Sequence, residues 1–315
     1  MGDRRLTACG RIRRIWSAVA ITLALLLGCV GVGCGADAKQ PGDVTITVGS
    51  KSTAEEVIIA EIYAQALEGA GFKVKREHRI PPGLPPFEQK GLRISGYPEH
   101  LNIALKDILK VKRDVPGNRM TAYRIAKRGL EERGLTAFPP TSFSRSKAVG
   151  MLRKTAEERN LKTLSDLKGR AADISLAAGR FCTFLTDCLV GLTNFYGIVF
   201  GPIMAIEPNL RYKVLETGRA DASILLSTEA RLAGKNSRFV VLEDDKHRLP
   251  AGNVFWLTTT DLVKEAGPAY EKTIVAAQKG LTLKLMRELN AKVKLEHEPV
   301  AKVAAEYLKS IGYRA

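Results

Sequence analysis

The sequence predicts an α/β protein, on three observations. Residues 44–74 spell out one complete β-α-β unit, and a second alternation of strand and helix patterns runs from residue 147 to 242. The third is size: 315 residues at 45% hydrophobic content are enough to bury a substantial core. In the first unit Val44, Ile46 and Val48 alternate with Thr45 and Thr47, the period of a strand, until Gly49-Ser50-Lys51 breaks the run. Ser52 with Glu55, and Thr53 with Glu56, each have the S/T-x-x-E spacing of a helix capping box, and only one of the two can start the helix. Ile59, Ile62, Tyr63, Ala66 and Ala70 then recur at helical spacing, Gly69 and Gly71 supply the stop, and residues 72–75 return to an extended pattern. A loop between a strand and a helix N-terminus gathers unpaired N–H groups and the positive end of the helix dipole, so it suits a ligand. Lys51 adds a cation there, although a solvated loop lysine would look the same in sequence.

Downstream, the proline-rich residues 80–86 predict a loop, 92–97 a short strand, and 120–133 an amphipathic helix stopped by Gly134. Residues 138–146 break the pattern, which marks a domain boundary, and 147–152 resume it as a strand. The second alternation then places helices near 164–167, 190–196 and 209–216, and strands at 172–177, 220–226 and 239–242. Helices at 270–290 and 300–311 close the chain. The acidic run Glu243-Asp244-Asp245 reads as a solvated turn, because no further oxygen ligands for calcium lie in reach.

The N-terminal 40 residues predict export. Arg11, Arg13 and Arg14 form a basic region, 15–27 an apolar one, and Leu26-Leu27-Gly28-Cys29 resembles the bacterial signal for cleavage and lipid attachment. Cys29 is therefore the expected lipidation site, with Cys34 a weaker candidate and an uncleaved membrane anchor the rival reading. The expected division is a signal peptide over 1–28 and a tether over 29–43. The protein is expected in the cell envelope, lipid-anchored at the outer face of the plasma membrane. Cys182 and Cys188 lie six residues apart in an exported lobe and form a candidate disulfide, with two buried thiols the alternative. A metal site is not expected without nearby histidines, and no cofactor is implied.

The formal charge is +16. The first 28 residues hold five arginines against one aspartate, which leaves 44 basic against 32 acidic residues, or +12, in the remainder. These charges are spread along the chain and no helix-turn-helix, RNP or zinc pattern accompanies them, so nucleic acid is not an expected partner. No Ser-His-Asp, Cys-His or metal constellation appears, and His78, His100, His247 and His297 are scattered; an enzyme is not expected.

Taken together, the motifs resemble the substrate-binding lipoproteins of osmoprotectant ABC transporters, the glycine betaine, choline and carnitine group. GSKSTAEEVIIAEIYAQALEGAGFKV is similar to that group's opening segment, and Tyr97-Pro98-Glu99-His100 sits where the group has YPEY. LKTLSDL, EPNLRYKVLETGRADA, STE at 227–229, VVLEDDK and MRELNAKV follow in the same order, so the resemblance spans 44–313. It implies a type II periplasmic-binding-protein fold: two α/β lobes joined by a hinge, closing on a central ligand cleft. Lobe one would be 44–142 plus 251–315 and lobe two 143–250. The implied role is an extracellular solute receptor of an ABC importer, whose partners are a small-molecule solute and the permease and ATPase complex. The alternative is a two-lobed lipoprotein acting as a sensor or interaction module without transport.

By that resemblance the ligand-binding candidates are Lys51, Thr53, Tyr97, His100, Ser146, Lys147, Asp187, Ser227 and Asn253. The family's cage of tyrosines for a quaternary ammonium is poorly matched: its positions fall on His100, Lys147 and Gly252, its threonine on Ile103 and its carboxylate-binding arginine on Leu185. Lys51 falls on the family's lysine. If Lys51, Arg145 and Lys147 point inward, an uncompensated cationic pocket favours an anion or a polar neutral solute; if they face solvent, Tyr97 or Phe181 can rebuild a cage.

Overall fold

The computed structural model describes residues 38–78, 80–81, 87 and 93–313. The signal segment, Cys29, Cys34 and most of the tether lie outside the described residues. The described chain forms part of one compact unit, Ala38–Ala315.

Two five-stranded sheets organise it. The first contains β1 (Thr45–Gly49), β2 (Lys73–Glu77), β3 (Gly96–His100), β4 (Leu135–Ala137) and β10 (Val254–Thr259), in the order β2-β1-β3-β10-β4. The second contains β5 (Lys147–Leu152), β6 (Leu176–Ala178), β7 (Ile203–Ala205), β8 (Ala222–Leu226) and β9 (Phe239–Val241), in the order β7-β6-β8-β5-β9. Only β10 leaves the sequential arrangement, returning the chain to the first sheet.

Helices cover the sheets. α1 (Ala54–Gly69) packs between the first sheet and α8 (Pro268–Gln278), α9 (Leu283–Lys294) and α10 (Val300–Ser310). Ile58, Ile59, Ile62 and Leu67 are fully buried there against Tyr270, Ile274, Val303 and Tyr307. A second cluster joins Leu101 of the short α2 (Leu101–Ile103) to Ala122, Ala126 and Leu130 of α3 (Arg119–Glu131) and to Phe255 and Leu257 of β10. Around the second sheet, Leu192 and Tyr196 of α5 (Leu189–Tyr196) meet Val149, Met151, Leu164 and Ile174, while α6 (Arg211–Glu216) closes a smaller cluster with Leu225 and Phe239. α4 (Arg153–Glu158) and α7 (Thr260–Ala266) complete the set.

Strand direction positions the site. β1 and β3 run parallel, so Gly49 and His100 end at one edge, and antiparallel β10 places Val254 opposite His100. In the second sheet β6 and β8 end together, and antiparallel β5 places Lys147 opposite Leu226. The chain crosses between these edges twice. Residues 138–146 run along β10, with Phe138 N–H donating to Trp256 O and Thr141 N–H to Val254 O, and the return segment pairs with them through the Ser144–Asn253 bridge. The two edges therefore face one another across a cleft whose floor is the pair of crossing segments.

Several sequence expectations need correction. The single helix over 270–290 is two helices, α8 and α9: α8 ends at Gln278, and Thr282 caps a new start, its hydroxyl accepting from Leu285 N–H. The strand over 92–97 is displaced to β3, and Leu92 lies outside the described residues. The strand over 172–177 shortens to β6, since residues 171–173 form a 3-10 turn instead. Trp256 is core: it is fully buried and its Nε1–H donates to the Tyr270 hydroxyl at 2.8 Å.

Candidate functional site

The loop after β1 opens the lobe-one side of the cleft. Thr53 is the helix cap: its hydroxyl oxygen accepts from Glu56 N–H at 3.3 Å and its proton goes to the Glu56 carboxylate at 2.6 Å. That hydroxyl is thereby engaged within its own turn, with a carboxylate whose other oxygen faces His100. Lys51 does reach inward, and its Nζ donates to both oxygens of Glu99 at 2.8 Å. Glu99 also accepts from the Tyr97 hydroxyl at 3.2 Å and from His100 N–H at 2.7 Å. The Lys51 ammonium lies 5.8 Å from the centre of the Tyr97 ring, so that aromatic face already carries a cation.

Beneath this pair lies a knot of buried charge. The His100 ring sits 3.8 Å from carboxylate oxygens of Glu56 and Glu99 and 3.9 Å from Glu55, beyond hydrogen-bonding distance in each case. Both its ring nitrogens and Glu55 Oε1 lack a hydrogen-bond partner among the described residues. Burial pushes the His100 pKa down, but the Glu55 and Glu99 carboxylates outweigh it and the net shift is upward. Burial pushes Glu55 and Glu99 upward, yet His100 with Arg145 for the first, and His100 with Lys51 for the second, leave both below the ordinary glutamate value. The Glu55 carboxylate is held further by Arg145 Nε at 3.9 Å and by Asn290 Nδ2, which donates to it at 3.0 Å and to Thr228 O at 2.8 Å.

Across the cleft, Lys147 Nζ donates to both oxygens of Asp187 at 2.6 Å. Asp187 follows a 3-10 segment, Arg180–Phe184, that leaves the end of β6 with Phe181 and Phe184 exposed. Cys182 and Cys188 are joined as a disulfide around it. Ser146, Ser227 and Asn253 are engaged in hydrogen bonds at the crossing segments. Ser146 N–H donates to Ser227 Oγ at 3.0 Å, Ser227 Oγ–H to Ser144 O at 2.8 Å, and Asn253 Nδ2 to Thr141 O and Phe143 O at 3.1 and 2.8 Å. Asn253 thus ties the two crossing segments together, and Ser146 with Ser227 ties the first of them to the end of β8.

The cation-rich pocket of the sequence reading is corrected by these contacts. Lys51, Lys147 and Arg145 each stand beside a carboxylate, so the site presents both signs. Gly252 also explains one missing tyrosine: a Cβ there would lie 2.0 Å from the Arg145 carbonyl oxygen, far closer than two non-bonded atoms can approach. The residues that sequence reasoning missed are Glu55, Glu56 and Glu99. Glu99 carried a usable signal, since Tyr97 and Glu99 share a face of a period-2 strand that begins one edge of the site. Among the described residues no group of three His, Cys, Asp or Glu side chains is placed to hold a metal ion. No helix among them is long and apolar enough to cross a membrane.

Comparison with known proteins gives a consistent result. A family model described as the substrate binding domain of ABC-type glycine betaine transport system matches residues 95–310. A glycine-betaine-binding protein of Pseudomonas aeruginosa is 26% identical over 302 residues, covering 91% of this chain and 93% of that protein. The ergothioneine transport permease/ergothioneine binding protein of Helicobacter pylori is 23% identical over 304 residues, and the match covers 95% of this chain but 53% of that longer protein. Among solved structures, a glycine betaine/carnitine/choline ABC transporter protein superposes with a TM-score of 0.74 at 24% identity, over 86% of this chain and 99% of that one. Apo YehZ from Escherichia coli follows with a TM-score of 0.70 at 21% identity, over 85% and 99%. The fold is the type II periplasmic-binding-protein fold.

Proposed function

Because the chain belongs to the family of substrate-binding domains of ABC-type glycine betaine transport systems, we propose that it is the receptor of an importer for a small zwitterion. The two lobes, 44–142 with 251–315 and 143–250, close on the solute and present it to a permease and ATPase complex. A lipid on Cys29 holds the receptor at the outer face of the plasma membrane. Among the solutes that the relatives' names print, glycine betaine, carnitine and ergothioneine each join a quaternary ammonium to a carboxylate and support this class, while choline, printed beside carnitine, shares only the quaternary ammonium.

One observation carries the reading: each sheet edge at the crossing segments bears a lysine–carboxylate pair, Lys51–Glu99 on the first and Lys147–Asp187 on the second, and in each the lysine is partly open to solvent. A purely cationic or anionic solute would leave one member of each pair against a like charge. A zwitterion meets both, its carboxylate shared by Lys51 at the mouth of the buried knot and its cationic end taken by Asp187 of the more exposed pair, so the total charge of the desolvated cleft is unchanged. The exposed rings of Phe181 and Phe184 stand on the loop that carries Asp187 and supply apolar surface for N-methyl groups.

Calorimetry with glycine betaine, carnitine, ergothioneine and choline tests this. At least one zwitterion should bind, choline should bind at least about tenfold more weakly because it lacks a carboxylate, and Lys51→Ala should cost that zwitterion about tenfold, roughly 1.4 kcal/mol. Choline binding as well as the best zwitterion, or no binding by any of the four, would rule the reading out.

A further inference from the structure

Lys51 and His100 share one carboxylate. Lys51 Nζ donates to both oxygens of Glu99 at 2.8 Å, and His100 Nδ1 stands 3.8 Å from Oε1 of the same group. The histidine is 1% exposed and the lysine side chain 26%, so Glu99 links a group at the mouth of the cleft to one sealed beneath it.

The groups around the ring set its charge. α1 presents Glu55 and Glu56, β3 presents Glu99 from the preceding residue, and the first crossing segment brings Arg145 to Glu55 at 3.9 Å. The neighbours on the remaining elements are neutral: Val254 of β10 lies opposite His100 in the sheet, and Asn290 of α9 donates to Glu55. Counted formally, three carboxylates face two cations, Lys51 and Arg145, which leaves one negative charge uncompensated out of water. A proton on His100 cancels it. The ring geometry agrees, because carboxylate oxygens flank both nitrogens and no donor among the described residues reaches either, an arrangement suited to a ring with two N–H groups. Burial alone would strip that proton and Arg145 opposes it, but Glu55 and Glu99 outweigh both and hold His100 above its ordinary value. A solute carboxylate at Lys51 shifts this balance further. The ammonium then divides its charge between that carboxylate and Glu99, and the less neutralised Glu99 holds the His100 proton more firmly. By reciprocity the His100 proton favours the solute carboxylate to the same degree.

We propose that His100 is a positioning residue for the carboxylate of the solute, acting through Glu99 and Lys51, and that the receptor takes up a proton as it binds. This rests on the receptor reading above and gives it a pH dependence. Affinity is highest while His100 is charged in the free protein, falls as pH rises through the folded value, and levels off once the bound protein loses the proton as well. Glycine betaine and carnitine contribute no proton of their own between about pH 6 and about pH 9, since a quaternary ammonium has none and a carboxyl ionises at lower pH.

Calorimetry with glycine betaine, carnitine and ergothioneine, in two buffers that differ in ionisation enthalpy, tests the coupling on the full chain. The dissociation constant of a solute that binds should rise by about fivefold or more from about pH 6 to about pH 9, with net proton uptake between. His100→Gln should still bind but lose both the slope and the uptake. His78→Gln, altered at a ring that meets Ser50 Oγ at 3.2 Å beside Lys51, should keep both. Imidazole NMR signals of the wild type serve where His100→Gln fails to fold: the His100 ring should be charged at about pH 7 in the free protein and stay charged to higher pH with solute bound. Affinity that is flat in pH, binding without proton uptake, a slope that survives in His100→Gln, or a neutral His100 ring at about pH 7 would each overturn the coupling and leave the receptor reading standing. Failure of all three solutes to bind at any pH in the range would instead remove the receptor reading, and the coupling with it.

Discussion

The two walls of the cleft carry similar charges and hold them in opposite ways. On the lobe-one wall Glu99 and His100 are each 1% exposed and sit in a knot of three carboxylates and one imidazole, with Lys51 at its mouth. On the facing wall the Lys147 and Asp187 side chains are 28% and 30% exposed, Lys147 at the start of β5 and Asp187 on the loop that the disulfide closes. Charges removed from water are costly to leave unpaired, so the first wall is rigid and its groups depend on one another. A half-exposed pair is weakly bound and can exchange partners, so the second wall is the one that can adapt to a solute. A binding cleft gains from both, one face preorganised and one face able to move.

The largest effect expected is from Glu99→Ala, which strips the partner from Lys51 and two acceptor contacts from Tyr97 and the His100 backbone. It should lower the unfolding free energy by about 3–5 kcal/mol in urea titration, and a loss below about 1 kcal/mol would mean the knot is hydrated. The pH dependence of the same knot sharpens the point. His100 is raised above its ordinary 6.5, so its contribution is complete below that value and disappears as pH rises through the folded value. Glu55 and Glu99 are lowered below 4.5, so theirs is present above that value and fails as pH falls through the folded ones. The stability gap between wild type and His100→Gln should therefore shrink as pH is raised from about 6 to about 9, and a constant gap would show that the histidine is neutral throughout.

The disulfide comes next. Its cysteines are six residues apart, and replacing both with serine should cost about 2 kcal/mol by the chain-entropy relation, read from chemical denaturation of oxidised protein. Peptide mass spectrometry finding two free thiols in exported protein would remove the staple from the comparison. Smallest of all, Lys147→Ala should change stability by less than about 1 kcal/mol, as expected of a partly exposed pair. A loss near that of Glu99→Ala would erase the distinction between the two walls.

Much of the fold was legible because local chemistry and tertiary placement agree. β5 coincides with its predicted bounds, 147–152, and the α1 start follows from capping chemistry in which Thr53 rather than Ser52 takes the role. β10 was missed for a physical reason: Val254, Phe255, Trp256, Leu257 and Thr258 are all buried, so a central strand loses the alternation that identifies an edge or half-exposed one. The candidate site was legible only in part. Lys51, Tyr97, His100, Lys147 and Asp187 come to the two edges, but their pairing depends on carboxylates that a sequence presents as ordinary surface residues. Ser146, Ser227 and Asn253 were expected as ligand-binding residues, and only the structure reveals their hydrogen bonds to the crossing segments.

The contact between Gly252 and the Arg145 carbonyl bears on how such a receptor changes its solute over evolutionary time. Where two backbones touch without room for a Cβ, a position is closed to every other residue until the opposing strand also shifts. Recovering a tyrosine there requires coordinated change in two distant stretches of chain, whereas Phe181, Phe184 and Leu185 stand on an exposed loop that tolerates single replacements. Specificity in this lineage therefore has an accessible route through the disulfide-closed loop and a blocked one through the hinge, and variation among close homologues should concentrate on the former.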